Sequence, residues 1–503
     1  MHDLLPTLQG YLSGILTDLP LFKPETHLVI LFVLIIVTDL VFGSNSARLC
    51  RIIAFAGLLF VALGDWLQIG LLTNKFHGDG HFLFNQMLLL TPPAIKMKVA
   101  VDLLAFILVI YFEWDEQLNS HKKGLSDLYS IVIGSVFGLH LMIMAVNLLS
   151  VYVAIELVSI ASYLMVAYRA ENTYTAEAGL KYVLFGAAAS AVMLFGMSLL
   201  YAFTGTLNLF SSDFIPALLH VNKAAAAIAI ILVLTGIGFK LSFVPTHFWV
   251  PDVYEGAATP VTAWLSTLPK IAGFALLVNF LTPFIFFEKW TGLDFRMVLS
   301  VIAIVTMVAG NFAAVLQTNI KRMLAYSSIG HTGFALLAVI TFSGSGISAL
   351  IYYLTLYGNA KIGAQMLASY FTNVAEASDL ESYKGLGLKS PVASVCYVVA
   401  LISLAGLPVT GGFTGKLFVF SSVYGVYQQG HNIWLLLLMI TGAVTTVVSL
   451  FYYIKIPLYL FLKRGDSVIE PIRKSYGILI LSVIISLVII LLGIFPNLIY
   501  STT

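Results

Sequence analysis

The chain has 503 residues, of which 59% are hydrophobic and only 10% charged, and its formal net charge is +2. Soluble globular chains carry about a quarter of their residues as charges, so a water-soluble enzyme is excluded; disorder and nucleic-acid binding go with it, since no basic arm exists. The two cysteines, Cys50 and Cys396, are too few for a disulfide framework or a cysteine-ligated metal cluster.

A helix needs about 20 apolar residues to cross about 30 Å of hydrocarbon. The first 24 residues are mixed, with Pro6 and Pro20, and lack the basic start and small-residue cleavage site of a signal peptide. Apolar segments then follow near 25–43, 48–69, 94–113, 128–149, 150–168, 176–203, 224–247, 259–284, 297–317, 319–342, 346–372, 391–425, 432–463 and 473–498. None alternates like the strands of an outer-membrane barrel. The expectation is an all-α polytopic membrane protein with about 14 transmembrane helices.

Lysine and arginine set the orientation of such a chain. Thirteen of them, from Arg48 and Arg51 to Arg473 and Lys474, fall in odd-numbered connections, including Lys122, Lys123 and Arg464. Seven fall in the N-terminal stretch and even-numbered connections: Lys23, Lys75, Lys96, Lys98, Lys223, Lys289 and Arg296. This bias places both termini on the outer side. The other six, Lys181, Lys240, Lys270, Lys361, Lys416 and Lys455, lie within spans, together with the acidic Asp39, Asp65, Asp102 and Glu156. A centrally placed ionisable group costs at least about 2.5–3.5 kcal/mol, so each needs a reason. Asp65 and Asp102 read as helix-end or subunit-contact residues.

Two stretches repeat a pattern five spans apart: Gly238-Phe239-Lys240-Leu241-Ser242-Phe243 and Gly412-Phe413-Thr414-Gly415-Lys416-Leu417-Phe418. Each sets a lysine beside helix breakers, Pro245 in the first case and Pro408 with Gly411 in the second. An odd spacing makes equivalent helices antiparallel, which is an inverted-topology repeat with broken helices 7 and 12. Backbone freed by such breaks needs partners from protein or trapped water, so both breaks point to a polar interior.

Three motifs carry more. They are Val244-Pro245-Thr246-His247-Phe248-Trp249-Val250-Pro251-Asp252-Val253-Tyr254-Glu255-Gly256 with Pro269-Lys270, Asn319-Ile320-Lys321-Arg322-Met323-Leu324-Ala325-Tyr326-Ser327-Ser328 with His331, and Leu404-Ala405-Gly406-Leu407-Pro408 before the second lysine pattern. Together they resemble the antiporter-like, proton-pumping membrane subunits of respiratory complex I (proton-pumping NADH:quinone oxidoreductase), and the Pro-Asp-Val-Tyr variant resembles the subunit N (subunit 2) branch. The resemblance implies two inverted five-helix bundles, spans 4–8 and 9–13. The chain then divides into 1–127 with the first three helices, 128–284 and 297–463 as the two bundles, and 464–503 with the last helix.

The resemblance also implies roles. Glu156 would pair with Lys240, Lys270 would be the central relay, and Lys416 the terminal proton site of the second half. His331 would extend the path between Lys270 and Lys416, or be a hydrogen-bonded packing residue. Lys181 is secondary and near enough to a helix end to snorkel. His247 would line the inner entry or cap a helix. Lys361 stands where subunit N relatives usually carry an uncharged residue. Lys455 receives no role. No cofactor or metal is expected in this chain, and NADH, FMN, iron–sulfur clusters and quinone would belong to partner subunits. The partners implied are the other membrane and peripheral subunits, neighbouring antiporter-like subunits included, and the lipid bilayer. The expected location is the bacterial plasma (inner) membrane, and the rival reading is a subunit of a multi-subunit sodium/proton antiporter without redox coupling.

Overall fold

Asparagine, aspartate, serine and threonine start most of the long helices, because a side-chain oxygen there takes up an amide the first turn leaves unpaired. Asn147, Asn172, Asn222, Asn319 and Asn432 each accept from a backbone N–H of the following helix, and Asn147 forms a capping box with Ser150. A computed structural model describes residues 12–43, 46–76, 80–120, 124–286, 292–463 and 475–500. Lys122, Lys123, Lys289, Arg464, Arg473 and Lys474, used above for orientation, lie outside the described residues.

The long helices are α1 (Lys23–Phe42), α2 (Ser46–Phe76), α3 (Pro92–Phe112), α4 (Ser126–Met144), α5 (Leu148–Val166), α6 (Thr173–Thr204) and α7 (Lys223–Leu241). They continue as α8 (Thr259–Phe286), α9 (Phe295–Val315), α10 (Ile320–Ile340), α11 (Gly344–Ala375), α12 (Pro391–Ala405), α13 (Gly411–Gly430), α14 (Ile433–Pro457) and α15 (Tyr476–Ile494). Among the described residues, eleven helices are long and apolar enough to cross a membrane. The all-α polytopic expectation therefore holds. A two-stranded hairpin, His81–Leu83 with Leu88–Leu90, closes one end of α2 and α3.

The breaks fall close to where proline and glycine put them. Segment 391–425 is two helices, because Gly406 (φ +83°) ends α12 in the left-handed region and Pro408 follows. Segment 224–247 stops early: Ser242 (φ +64°) caps α7, and the chain passes through 243–249 into a short helix, Val250–Gly256. Lys96 and Lys98 are also inside α3, which starts at Pro92, rather than in a connection.

Helices α8, α10 and α11 are sheathed by the others and buried over most of their length. Their polar residues therefore face protein. Glycine lets α9 and α10 touch backbone to backbone, since a Cβ on Gly310 would lie 2.4 Å from the Gly330 amide nitrogen.

Candidate functional site

Lys240 sits in the last turn of α7, yet it is only 5% exposed. The connection after α7 folds back over it. Trp249 stacks on Tyr182 and Phe239, with centroids 4.5 and 5.1 Å away, and the ammonium rests 5.4–5.7 Å from the rings of Tyr163, Tyr182 and Phe239. Aromatic faces attract a cation without accepting a proton. Lys240 Nζ and Glu156 Oε1, on α5, are each buried without a hydrogen-bond partner, and the two residues form no ion pair within 4 Å among the described residues. The implied pair is thus near but open.

Lys270 lies about 16 Å into α8 by helix rise and is fully engaged. Its ammonium donates to Ser328 O, Ser328 Oγ and Thr332 Oγ1, all at 2.7 Å. Thr332 Oγ1 donates in turn to Leu241 O at 2.9 Å, the residue after Lys240, so one hydroxyl joins α7, α8 and α10. On the other side Ser328 Oγ meets the Tyr357 hydroxyl at 2.8 Å.

His331 is one helical turn from Ser328. Its Nδ1 is 2.7 Å from the Tyr353 hydroxyl and its Nε2 3.0 Å from that of Tyr453, and its ring lies 4.8 Å from Tyr357. Lys361, on α11, donates to Leu324 O at 2.5 Å and Ser327 Oγ at 2.9 Å on the same turns of α10. Lys416 donates to Ala405 O at 2.8 Å, a carbonyl that the α12–α13 break leaves open, and lies 5.6 Å from the Phe334 ring. His331 and Lys416 line one small cavity with Asn311 and Ser449.

The structure therefore gathers Lys240, Lys270, His331, Lys361 and Lys416 into one buried row across α7, α8, α10, α11 and α13. All the hydrogen-bond partners named for its amines are neutral oxygens. No Asp or Glu occurs in any of the helices α8 to α15.

Lys181 stands apart. Its side chain is 38% exposed and bonded to Glu177 at 2.8 Å and Asp252 at 2.9 Å. With Arg322, which reaches Glu255 at 2.6 Å, it rims a polar surface pocket that also takes in Arg169 and Lys321. His247 is half-buried in the 243–249 connection, where burial holds its imidazole below the usual 6.5 and so neutral at neutral pH. Lys455 donates to Val315 O at 2.7 Å, at an end of the α9–α14 contact.

A second polar group was missed in part. Asp65 and Asp102 are not helix-end residues; both are fully buried, together with Glu25, Lys98 and His140. Glu25 and His140 carried no reading, and Lys98 was placed in a connection. The signal available was five ionisable groups within four neighbouring segments, Lys98 and Asp102 on the same one.

The chain matches a protein-family model described as NADH:quinone oxidoreductase/Mrp antiporter, transmembrane, over residues 145–449. It is 35% identical to NADH-quinone oxidoreductase subunit N 2 of Chloroherpeton thalassium, over 92% of this chain and 88% of that one. It is 37% identical to NADH-quinone oxidoreductase subunit N of Heliobacterium modesticaldum, over 90% and 91%. Among solved structures it resembles a chain of respiratory complex I from Thermus thermophilus, with a TM-score of 0.76 and 27% identity over 95% of this chain and 98% of that one. It shares its fold with a chain of the Mrp complex from Dietzia sp. DQ12-45-1b, with a TM-score of 0.77 and 20% identity over 94% of each.

Proposed function

Because this chain belongs to the NADH:quinone oxidoreductase/Mrp antiporter transmembrane family, in its subunit N branch, we propose that it is a proton-translocating membrane subunit of an NADH:quinone oxidoreductase. The observation that carries the reading is the buried row of amines: the Thr332, Ser328 and Tyr357 hydroxyls join Lys270 to the Leu241 carbonyl next to Lys240, and His331 shares a small cavity with Lys416. An amine held by hydroxyl and carbonyl oxygens alone has no fixed counter-charge, so its charged and neutral forms come close in energy.

In this reading protons enter near His247 and the Glu156–Lys240 gap. They pass Lys270, Lys361 and His331, and leave through Lys416. The two bundles are 128–284 and 297–463, and both termini face the outer side of a bacterial inner membrane. NADH, FMN, iron–sulfur clusters and quinone belong to partner subunits, whose redox chemistry biases the Glu156–Lys240 gap electrostatically. Lys181 takes a rim position rather than one in the row. The subunit N and subunit 2 relatives at 33–37% identity favour redox coupling over a stand-alone antiporter, because the Mrp likeness at 20% speaks to fold alone.

The test is Lys240→Met and Lys416→Met in the assembled complex, reconstituted in vesicles, with protons moved counted per electron. Both variants lower that ratio. A wild-type ratio in either variant refutes the assignment.

A further inference from the structure

Five ionisable side chains meet on α1 to α4, away from the row of amines. Glu25 opens α1, Asp65 is on α2, Lys98 and Asp102 are one turn apart on α3, and His140 lies four residues from the end of α4; all are 0% exposed. The Lys98 ammonium is 2.6 Å from Glu25 Oε1 and 2.6 Å from Asp65 Oδ1, and 3.2 Å from Gln68 Oε1. His140 Nδ1 is 3.2 Å from Glu25 Oε1 and 3.9 Å from Asp65 Oδ2, and its Nε2 is 3.0 Å from Asp102 Oδ1.

The charges do not balance. Three carboxylates face one ammonium and one imidazole, so neutrality needs two protons beyond the ammonium. The imidazole takes one, since both of its nitrogens point at carboxylate oxygens. A neutral ring would need a protonated carboxyl as donor on one side, which leaves the count unchanged. A net charge left in a fully buried site costs several kcal/mol. The oxygens that could hold a second proton are present: Glu25 Oε2 and Asp102 Oδ2 are buried without a hydrogen-bond partner. The Lys98 ammonium already fills the position between two carboxylates that a metal cation would need.

We propose that Glu25, Asp65, Asp102 and His140, around Lys98, form a second proton-binding site that holds one exchangeable proton shared among its carboxylates.

Around the five, Lys23 on α1 is exposed, Lys96 on α3 is only partly buried, and α5, which packs on α4, brings another carboxyl, Glu156. On the same helices, His27 packs edge-on to Phe60, while Asp39, Arg51 and Asp127 are at the opposite helix ends. The ionisable side chains of α8 and α11, which pack on α3, are Lys270, Lys361 and four tyrosines. Lys270, Lys361, Tyr353 and Tyr357 are held by α10, Tyr352 by Leu492 O and Tyr370 by Ser390 Oγ. The site lies toward the hairpin end of α2 and α3. Gln68 bridges the site to Leu21 O at 2.7 Å there, and beyond it Leu72, Leu83, Leu90, Ile95 and Met144 form an apolar plug.

The test uses the whole complex and the infrared carbonyl band of protonated carboxyl groups, followed against pH in H2O and D2O, with Lys270→Met as a control that leaves the band unchanged. Asp65→Asn and Asp102→Asn each remove the surplus charge, so both variants assemble and both lose one pH-titrating band. Lys98→Met raises the demand to two carboxyl protons, so the band about doubles wherever that variant assembles. A band that survives both Asn variants overturns the proposal. So does a band that titrates with sodium rather than pH, or failure of both Asn variants to assemble, which would mark a fully ionised structural network.

Discussion

Removing the Lys270 amine separates a proton carrier from a fixed charge. In Lys270→Met the three acceptors of the ammonium lose their donor, and none is stranded. Ser328 Oγ keeps Tyr357, and the single Thr332 hydroxyl proton is shared between Leu241 O at 2.9 Å and Ser328 O at 3.1 Å. Three bonds from a charged donor at about 1.5–3 kcal/mol each are lost, while several kcal/mol of ammonium desolvation is relieved. Methionine fills much of the vacated space. The two sums nearly offset, so stability changes by no more than about 2 kcal/mol and the complex assembles. Lys270→Arg keeps the charge, but a guanidinium does not release its proton. Both variants should lower the protons moved per NADH oxidised in vesicles, read from dye-reported acidification against NADH absorbance. A wild-type ratio in the arginine variant would refute proton carriage by Lys270 and leave it a fixed charge; a wild-type ratio in both would remove it from the path.

The α9–α10 contact predicts a stability effect without a chemical one. Gly310→Ala pushes a Cβ to 2.4 Å from Gly330 N and 2.8 Å from its Cα, backbone atoms that cannot rotate away, so it costs about 1–3 kcal/mol, whereas Gly425→Ala meets nothing within 4 Å and should be silent. Thermal dissociation of the detergent-solubilised complex reports both, and equal midpoints for the two variants would contradict the close approach. At the surface pocket, the hydrogen bond from Lys181, its charge and Arg322 hold the Asp252 carboxyl below its ordinary 3.8. The unfolded chain then binds more protons between the folded value and 3.8, so Asp252 stabilises above the ordinary value and the gain is lost as pH falls through the folded one. Because the pair is partly exposed, Asp252→Asn should cost at most about 1 kcal/mol near pH 7 and nothing in strong acid. A cost that persists in acid would contradict the ion-pair account.

The hydrophobic segments were legible because a span is a local property, about 20 apolar residues long. Lys240, Lys270, Lys361 and Lys416 were legible for the same reason: a lysine inside an apolar run stands out from its immediate neighbours. Lys181 stood out equally and turned outward, because its partners Glu177 and Asp252 lie at the surface, and segment position does not say which face a residue takes. The Glu25–Lys98–His140 group was hidden by distance along the chain. His140 and Glu25 are 115 positions apart, and each helix contributes only one or two residues to the group, so no local stretch shows it. Lys98 fell inside the apolar segment 94–113 yet was counted with the connection before it, whereas Pro92 opens the helix and places it well inside α3. The open Glu156–Lys240 gap is also tertiary, set by aromatic rings from α5, α6, α7 and the folded-back connection.

The absence of Asp and Glu from the helices α8 to α15 has a consequence for traffic along the row. Beyond Glu156 beside Lys240 no anion offsets them, so two protons in neighbouring positions repel; unit charges about 10 Å apart at an effective dielectric of about 20 do so by about 1.7 kcal/mol. In the proposed proton path, loading one position would discourage loading the next, so the row would act as a queue that admits one positive charge at a time. In that path a newcomer at Lys240 would favour departure from Lys416, so arrival at one end would be felt as a push at the other without any helix having to carry the message.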